Sequence, residues 1–197
     1  MKEMDIPTPF ILKMGSLMDE DNFFTFCQIN DALEFERNSH GDIILLPFRG
    51  SYFGLLNADI SSKFAAWNNR GSKGVLFGPS TGFTLPNKSV RSPDISWIRN
   101  ERREALNKDE KEVFAPICPD FILEILSLPE ETAYVHEKMK EDIQCGAQLG
   151  WLIDHVNSSV YIYNSDGSFT FIDSLKVKLS GEPVLPGFVL DLESLIN

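Results

Sequence analysis

PDFILEILS, residues 119–127, is the stretch from which the rest of the chain can be placed. From Phe121 to Leu126 every residue is apolar except Glu124, and so continuous a run marks a strand covered on both faces. Period-two alternation sets Glu124 on the side of Ile122 and Leu126. A carboxylate in that position costs several kcal/mol of desolvation unless a cation or hydrogen-bond donors meet it. Glu124 therefore needs a partner.

Upstream of this strand, SPDISWI at 92–98 reads as a second one, with Asp94, Ser96 and Ile98 on one side and Ile95 and Trp97 on the other. Downstream, Ser127 and Glu130 stand at capping-box spacing around Pro129, which predicts a helix running to about Cys145. Val135, Met139 and Ile143 recur along it at i+4 and pack inward, and Gly146 stands near its end. Beyond it, WLIDH, VYIYN and SFTFI read as strands, the last two joined by an Asn164-Ser165-Asp166-Gly167 turn.

The upstream half is read in the same way. Residues 19–29 suit a short helix with an acidic first turn, and Ile43–Leu46 a short strand. Tyr52, Leu56, Ile60, Phe64 and Trp67 form a helical stripe at spacings of four and three. VLF at 75–77 and GFTL at 82–85 are extended, and the tail GEPVLPGFVLDLESLI is expected to close one edge. Helices around a mixed β-sheet give the α/β class. With no linker or repeat to divide it, the chain is expected to be one domain over 19–197 behind an N-terminal extension, 1–18.

Composition is that of a globular protein, 43% hydrophobic and 24% charged over 197 residues. Eighteen basic against 29 acidic residues give a net charge of −11, which disfavours polyanionic partners unless a metal or a local basic patch reverses the field. Arg91, Arg99, Arg102, Arg103, Lys108 and Lys111 form the one candidate patch, interrupted by Glu101, Glu104, Asp109 and Glu110. Cys27, Cys118 and Cys145 lie far apart with no CxxC spacing, which fits buried free thiols of a reducing cytoplasm. No run approaches the roughly 18 apolar residues of a membrane span. A cytoplasmic location is the expectation.

GPSTG at 78–82 matches the nucleophile-elbow pattern with Ser80 in the serine position, but the elbow needs a helix after the serine, and GFTLP reads as a strand. GSKG at 71–74 lacks phosphate-loop spacing, and the three histidines are not spaced as a metal cluster. The informative set is Asp94, Glu124 and Lys138. Two carboxylates from neighbouring strands are hard oxygen donors suited to Mg²⁺ or Mn²⁺, and Lys138, about two turns into the following helix, can reach back to the same point. Such a set suits phosphodiester hydrolysis, the ion polarising a phosphoryl oxygen and activating water while the lysine offsets developing charge. A structural ion pair between Glu124 and Lys138, with Asp94 as a turn residue, accounts for the same spacing.

At these residues the sequence resembles the Uma-type family of restriction endonucleases, in the PD-(D/E)XK nuclease superfamily. The likeness runs from about Asp19 to the C-terminus through TGFTLPNKSVRSPDISWI, APICPDFILEILS, EKMKEDIQCGAQLGWLID and LSGEPVLPGFVLDL. It implies a restriction-endonuclease-like fold, metal-binding acids at Asp94 and Glu124, and a catalytic lysine at Lys138. The superfamily lysine usually lies two residues after the acid, where this chain has Leu126, so the role moves to the helix. Asp142 stands where the family often has a tyrosine, and Glu34 resembles the acid at the end of the family's first helix, a further candidate metal ligand. The expectation is a metal-dependent DNA endonuclease, its DNA binding weak and salt-sensitive or strengthened in a homodimer. A non-catalytic binding module that keeps the fold is the alternative.

Overall fold

A computed structural model describes residues 9–71 and 73–195. In chain order the elements are β1 (Phe10–Leu12), α1 (Glu20–Ile29), β2 (Glu34–Arg37), β3 (Ile43–Leu46), α2 (Ser51–Gly71), β4 (Gly74–Phe77), β5 (Phe83–Thr84), β6 (Val90–Arg91), β7 (Ile95–Arg99), α3 (Asn100–Glu104), α4 (Lys108–Glu112), β8 (Phe121–Leu126), α5 (Thr132–Gln144), β9 (Leu149–Asp154), β10 (Ser159–Asn164), β11 (Phe169–Ile172), β12 (Lys178–Ser180) and β13 (Val189–Asp191). A six-stranded mixed sheet runs β11-β10-β9-β8-β7-β4, and a five-stranded antiparallel sheet runs β1-β3-β2-β6-β5. Strands β12 and β13 form a separate ribbon. Strands β8 and β9 are parallel, as a strand pair joined by a crossover helix, here α5, must be.

Both faces of the large sheet are covered, which is why β8 reads as an unbroken apolar run. On one face Leu56, Ile60 and Phe64 of α2 pack with Ile95, Trp97, Phe121, Leu123, Ile125 and Trp151. The C-terminal tail lies over this same face and does not close an edge: Val184, Leu185, Phe188 and Leu190 join the cluster, and the Phe188 ring sits 4.2 Å from that of Phe64. The reason is area, since α2 alone does not cover an aromatic patch of Trp151, Phe121 and Trp97. On the other face α5 lays Val135, Met139 and Ile143 against Ile98, Ile122, Leu126 and Leu152. Close approach there depends on Gly150 of β9, where a Cβ would fall 2.7 Å from Met139 Cε. The helix bearing Lys138 is thereby seated hard on the sheet.

The helix starts differently from the expected capping box. A 3₁₀ turn over Pro129–Glu131 precedes α5, and its N-cap Glu131 makes no side-chain cap bond. The Glu131 carboxylate is instead held by Arg49, whose Nη1 also donates to the Ser127 hydroxyl. Residues 10–18 of the expected N-terminal extension belong to the fold. Strand β1 pairs with β3, and Met18 is buried with Phe23, Ile43 and Val90; residues 1–8 lie outside the described residues. The GPSTG segment is a turn closed by Thr81 N–H on the Gly78 carbonyl, and a strand follows it. The elbow geometry for Ser80 is therefore missing. Cys118 is buried, whereas Cys27 and Cys145 are only partly so, and all three are free. Among the described residues no helix is long and apolar enough to cross a membrane.

Candidate active site

The site forms where the two sheets meet α5. Strands β7 and β8 are antiparallel with Ile95 opposite Leu123, so the next step of the register sets Asp94 beside Glu124. The Ile125 N–H donates to Asp94 Oδ2 at 2.7 Å and fixes that carboxylate. From α5, Lys138 Nζ lies 2.6 Å from Glu124 Oε1 and 2.6 Å from Glu36 Oε1, and it donates to the Ser92 carbonyl at 3.3 Å. The structure thus brings together Asp94, Glu124 and Lys138, as the sequence suggested, and adds Glu36.

Glu36 lies on β2 with no exposure to solvent, and its two oxygens are fully engaged. Oε1 accepts from the Ser92 N–H at 2.8 Å as well as facing Lys138, and Oε2 accepts from the Tyr134 hydroxyl at 2.5 Å and from Arg91 Nη1 at 3.2 Å. Arg91 in turn donates through Nε to Glu141 Oε2 at 2.6 Å. Tyr134, Lys138 and Glu141 form a polar stripe on α5 beside its apolar one, which brings three partners to one seam.

Glu34, the further candidate ligand, starts β2; α1 ends earlier, at Ile29. It is exposed at the rim of the cleft and lies outside the Lys138 cluster. Glu36, Arg91 and Tyr134 are the site residues that sequence reasoning missed. The alternation in EFER was the available signal: if Glu34 starts a strand, Glu36 shares its face and lies deeper.

A cleft of about 320 Å³ opens above these groups, with Asp94, Glu124 and Lys138 in its lining. Its lining also includes the 31–34 turn and, adjoining it across the β2–β3 pairing, the segment from Leu46 to Arg49, together with Phe53. The electrostatics divide the carboxylates in two. Burial alone would raise Glu36, but the charges of Lys138 and Arg91 and the hydrogen bonds of Lys138 and Tyr134 hold it at about 2. For Asp94 burial prevails over the Ile125 N–H and the charges of Lys138 and Arg49, and the carboxyl is pushed up to about 6. Glu124 is raised well above the usual range by burial and by the charges of Asp94 and Glu36, against the pull of Lys138. Burial opposes charge on Lys138, yet Glu124 and Glu36 raise its proton affinity well above the ordinary lysine value. The ammonium is permanent at neutral pH.

Asp142, the departure from the family pattern, lies a turn beyond Lys138 with no solvent exposure. Neither of its carboxylate oxygens has a hydrogen-bond partner among the described residues, and burial pushes its carboxyl up to about 7. It is not part of the cleft lining. The expected basic patch is dispersed. Arg91 is internal, and Arg99 and Arg102 both pair with Asp120, at 3.4 and 3.1 Å. That leaves Arg103, Lys108 and Lys111 on the short helices α3 and α4.

Among the described residues no group of three or more His, Cys, Asp or Glu side chains is arranged to hold a metal ion. Asp94 and Glu124 present two carboxylates, a donor set that fits Mg²⁺ or Mn²⁺, which keep several waters and bind through one or two carboxylates and substrate oxygens. The family described as "Uma2: Putative restriction endonuclease" matches residues 21–193. The chain belongs to this family. Uma2 membership supports a nuclease function in general terms. No curated protein matches the chain. Among solved structures, that titled a putative nuclease belonging to DUF820 from Anabaena variabilis ATCC 29413 superposes with a TM-score of 0.68. The likeness covers 82% of this chain and 88% of that one at 20% identity. This Uma2 chain therefore has the restriction-endonuclease-like fold, a mixed α/β architecture of sheet flanked by helices.

Proposed function

We propose that the protein is a metal-dependent DNA endonuclease that hydrolyses phosphodiester bonds, Asp94 and Glu124 holding Mg²⁺ or Mn²⁺ and Lys138 assisting. The observation that supports this reading is the pairing, in the lining of one cleft, of two carboxylates with raised proton affinity and a buried ammonium. Carboxylates so placed gain most from a divalent cation, because it neutralises both at once. When bound, the ion would polarise a phosphoryl oxygen and activate water for attack.

The remaining work falls to the chain's own groups. Glu36, itself anchored by Arg91, Tyr134 and the Ser92 N–H, holds Lys138 at the seam between the sheets. Lys138 keeps its proton, so its role is that of a fixed positive charge facing the phosphoryl oxygens, already oriented before the reaction. It does not act as a base. The Ile125 N–H orients Asp94.

The test is the melting temperature with millimolar Mn²⁺, for wild type and Glu124→Ala side by side, followed by cleavage of mixed DNA substrates. A ligand at about 100 times its Kd stabilises the native state by roughly 2.7 kcal/mol, a readily measured shift. Stabilisation lost in Glu124→Ala, together with Mn²⁺-dependent cleavage, is the expected result. No shift in wild type, with or without DNA, would leave a binding module on a nuclease fold.

A further inference from the structure

The cleft above Asp94 and Glu124 is poorly suited to grip a duplex by its phosphates. Its lining carries Asp31 and Glu34 besides the two site acids, against Arg49 and Lys138, each already paired with a carboxylate. Duplex recognition through the backbone draws on several lysines and arginines that displace counterions from phosphates. Three arginines of the expected patch are likewise committed to Glu36, Glu141 and Asp120.

The rim is apolar. Phe48 stands 87% exposed on the segment between β3 and α2, against 54% and 50% for Phe169 and Phe171 on the edge strand β11. Leu33, 43% exposed, lies on the adjoining 31–34 turn, and Pro47 and Pro79 are in the same lining. The root of the Phe48 segment is fastened: the Arg49 guanidinium lies 5.3 Å from the Phe53 ring centroid and pairs with Glu131. A phenylalanine held in solvent by an anchored loop beside two carboxylates adds nothing to the core, and it can lay its ring on a flat apolar ligand. A nucleobase offers such a face only when it is unpaired or drawn out of the stack, and stacking of this kind supplies affinity where cations cannot.

We propose that the cleft takes an unpaired nucleotide of a DNA strand, the Phe48 ring stacking on its base while the neighbouring phosphate faces Lys138 and the cation that Asp94 and Glu124 would hold. This deepens the nuclease reading and rests on it for the fate of the phosphate. Single-stranded, flapped or mismatched DNA is then the preferred substrate class, and a perfect duplex is a poor one.

The experiment measures fluorescence anisotropy of a short labelled oligonucleotide, single-stranded or annealed to its complement, with millimolar Ca²⁺ in place of Mn²⁺ to limit cleavage. Wild type binds the single strand more tightly than the duplex. Phe48→Ala weakens single-strand binding roughly ten- to a hundredfold, the size of one lost base–aromatic stack, and leaves duplex binding and the melting temperature unchanged. Phe48→Trp retains single-strand binding, and its added indole fluorescence is quenched by the single strand and not by the duplex. Equal affinity for both forms, no binding of either, or a Phe48→Ala change within about twofold on the single strand overturns the proposal. The nuclease reading fails separately: a chain that stacks single strands through Phe48 yet neither takes up Mn²⁺ nor cuts DNA keeps this inference and loses that one.

Discussion

Buried carboxylates lie at both ends of the β7–β8 pair, one at one end and a group at the other, and the two ends differ in how many donors meet each carboxylate. At one end Asp120, 2% exposed, faces three: the Arg99 N–H at 2.9 Å, Arg99 Nε at 3.4 Å and Arg102 Nη1 at 3.1 Å. At the other, the Lys138 ammonium pairs with Glu36 and Glu124, Asp94 beside Glu124 has the Ile125 N–H, and Glu36 takes the largest share of the remaining donors. Burial is common to both ends. What distinguishes a reactive site is a local excess of carboxylates over donors next to an open cleft, because only that leaves a need a cation or a substrate can meet.

The sharpest way to break this comparison is to neutralise one acid at each end. Asp94→Asn should lower Mn²⁺-dependent cleavage by at least about a thousandfold, the scale on which loss of a preorganised charge acts. Asp120→Asn should leave cleavage near wild type, and comparable losses in both variants would erase the distinction. Stability sharpens it next. Glu36→Gln leaves Lys138 and Arg91 short of a buried partner and should cost about 3–5 kcal/mol in urea unfolding, whereas Asp120→Asn, whose arginines reach solvent, should cost about 1–3 kcal/mol.

The pH response is smaller and has a definite sign. The Asp142 carboxyl is raised to about 7 in the folded protein from 3.8, so between these values the native state binds the extra proton and stability falls as pH rises. Asp142→Asn should flatten that decline, with a higher melting temperature than wild type at pH 8 and little difference at pH 4; parallel curves would show that the buried acid is solvated. Asp94 titrates near 6, so the Mn²⁺-induced shift should grow from pH 5 to pH 7.5 as its proton is lost. Smallest of all, replacing Arg103, Lys108 and Lys111 by alanine should change stability by less than about 0.5 kcal/mol each, as expected of surface charges.

Much of this arrangement could be read from the sequence where one residue's neighbours are local. The apolar run of FILEIL, the stripe of α2 and the i+4 series of α5 are periodic, and the structure has these elements at nearly the expected bounds. Asp94 and Glu124 could be paired because adjacent antiparallel strands make a simple register. Glu36 could not, since nothing in EFER states that β2 belongs to a second sheet that docks on α5. The same long-range docking makes Arg91 internal although its sequence context reads as a solvated basic loop. The Ser127 capping box failed for a related reason: Arg49, 78 residues away, engages both the hydroxyl and Glu131.

Lys138 is tied at once to β2 of one sheet and β8 of the other. Its ammonium is held on both sides only when both sheets are packed against α5. A chain whose five-stranded sheet has frayed loses Glu36 and with it one of the two tethers on the lysine. On the proposed reading, the position of one ammonium thus reports whether two sheets and a helix have come together.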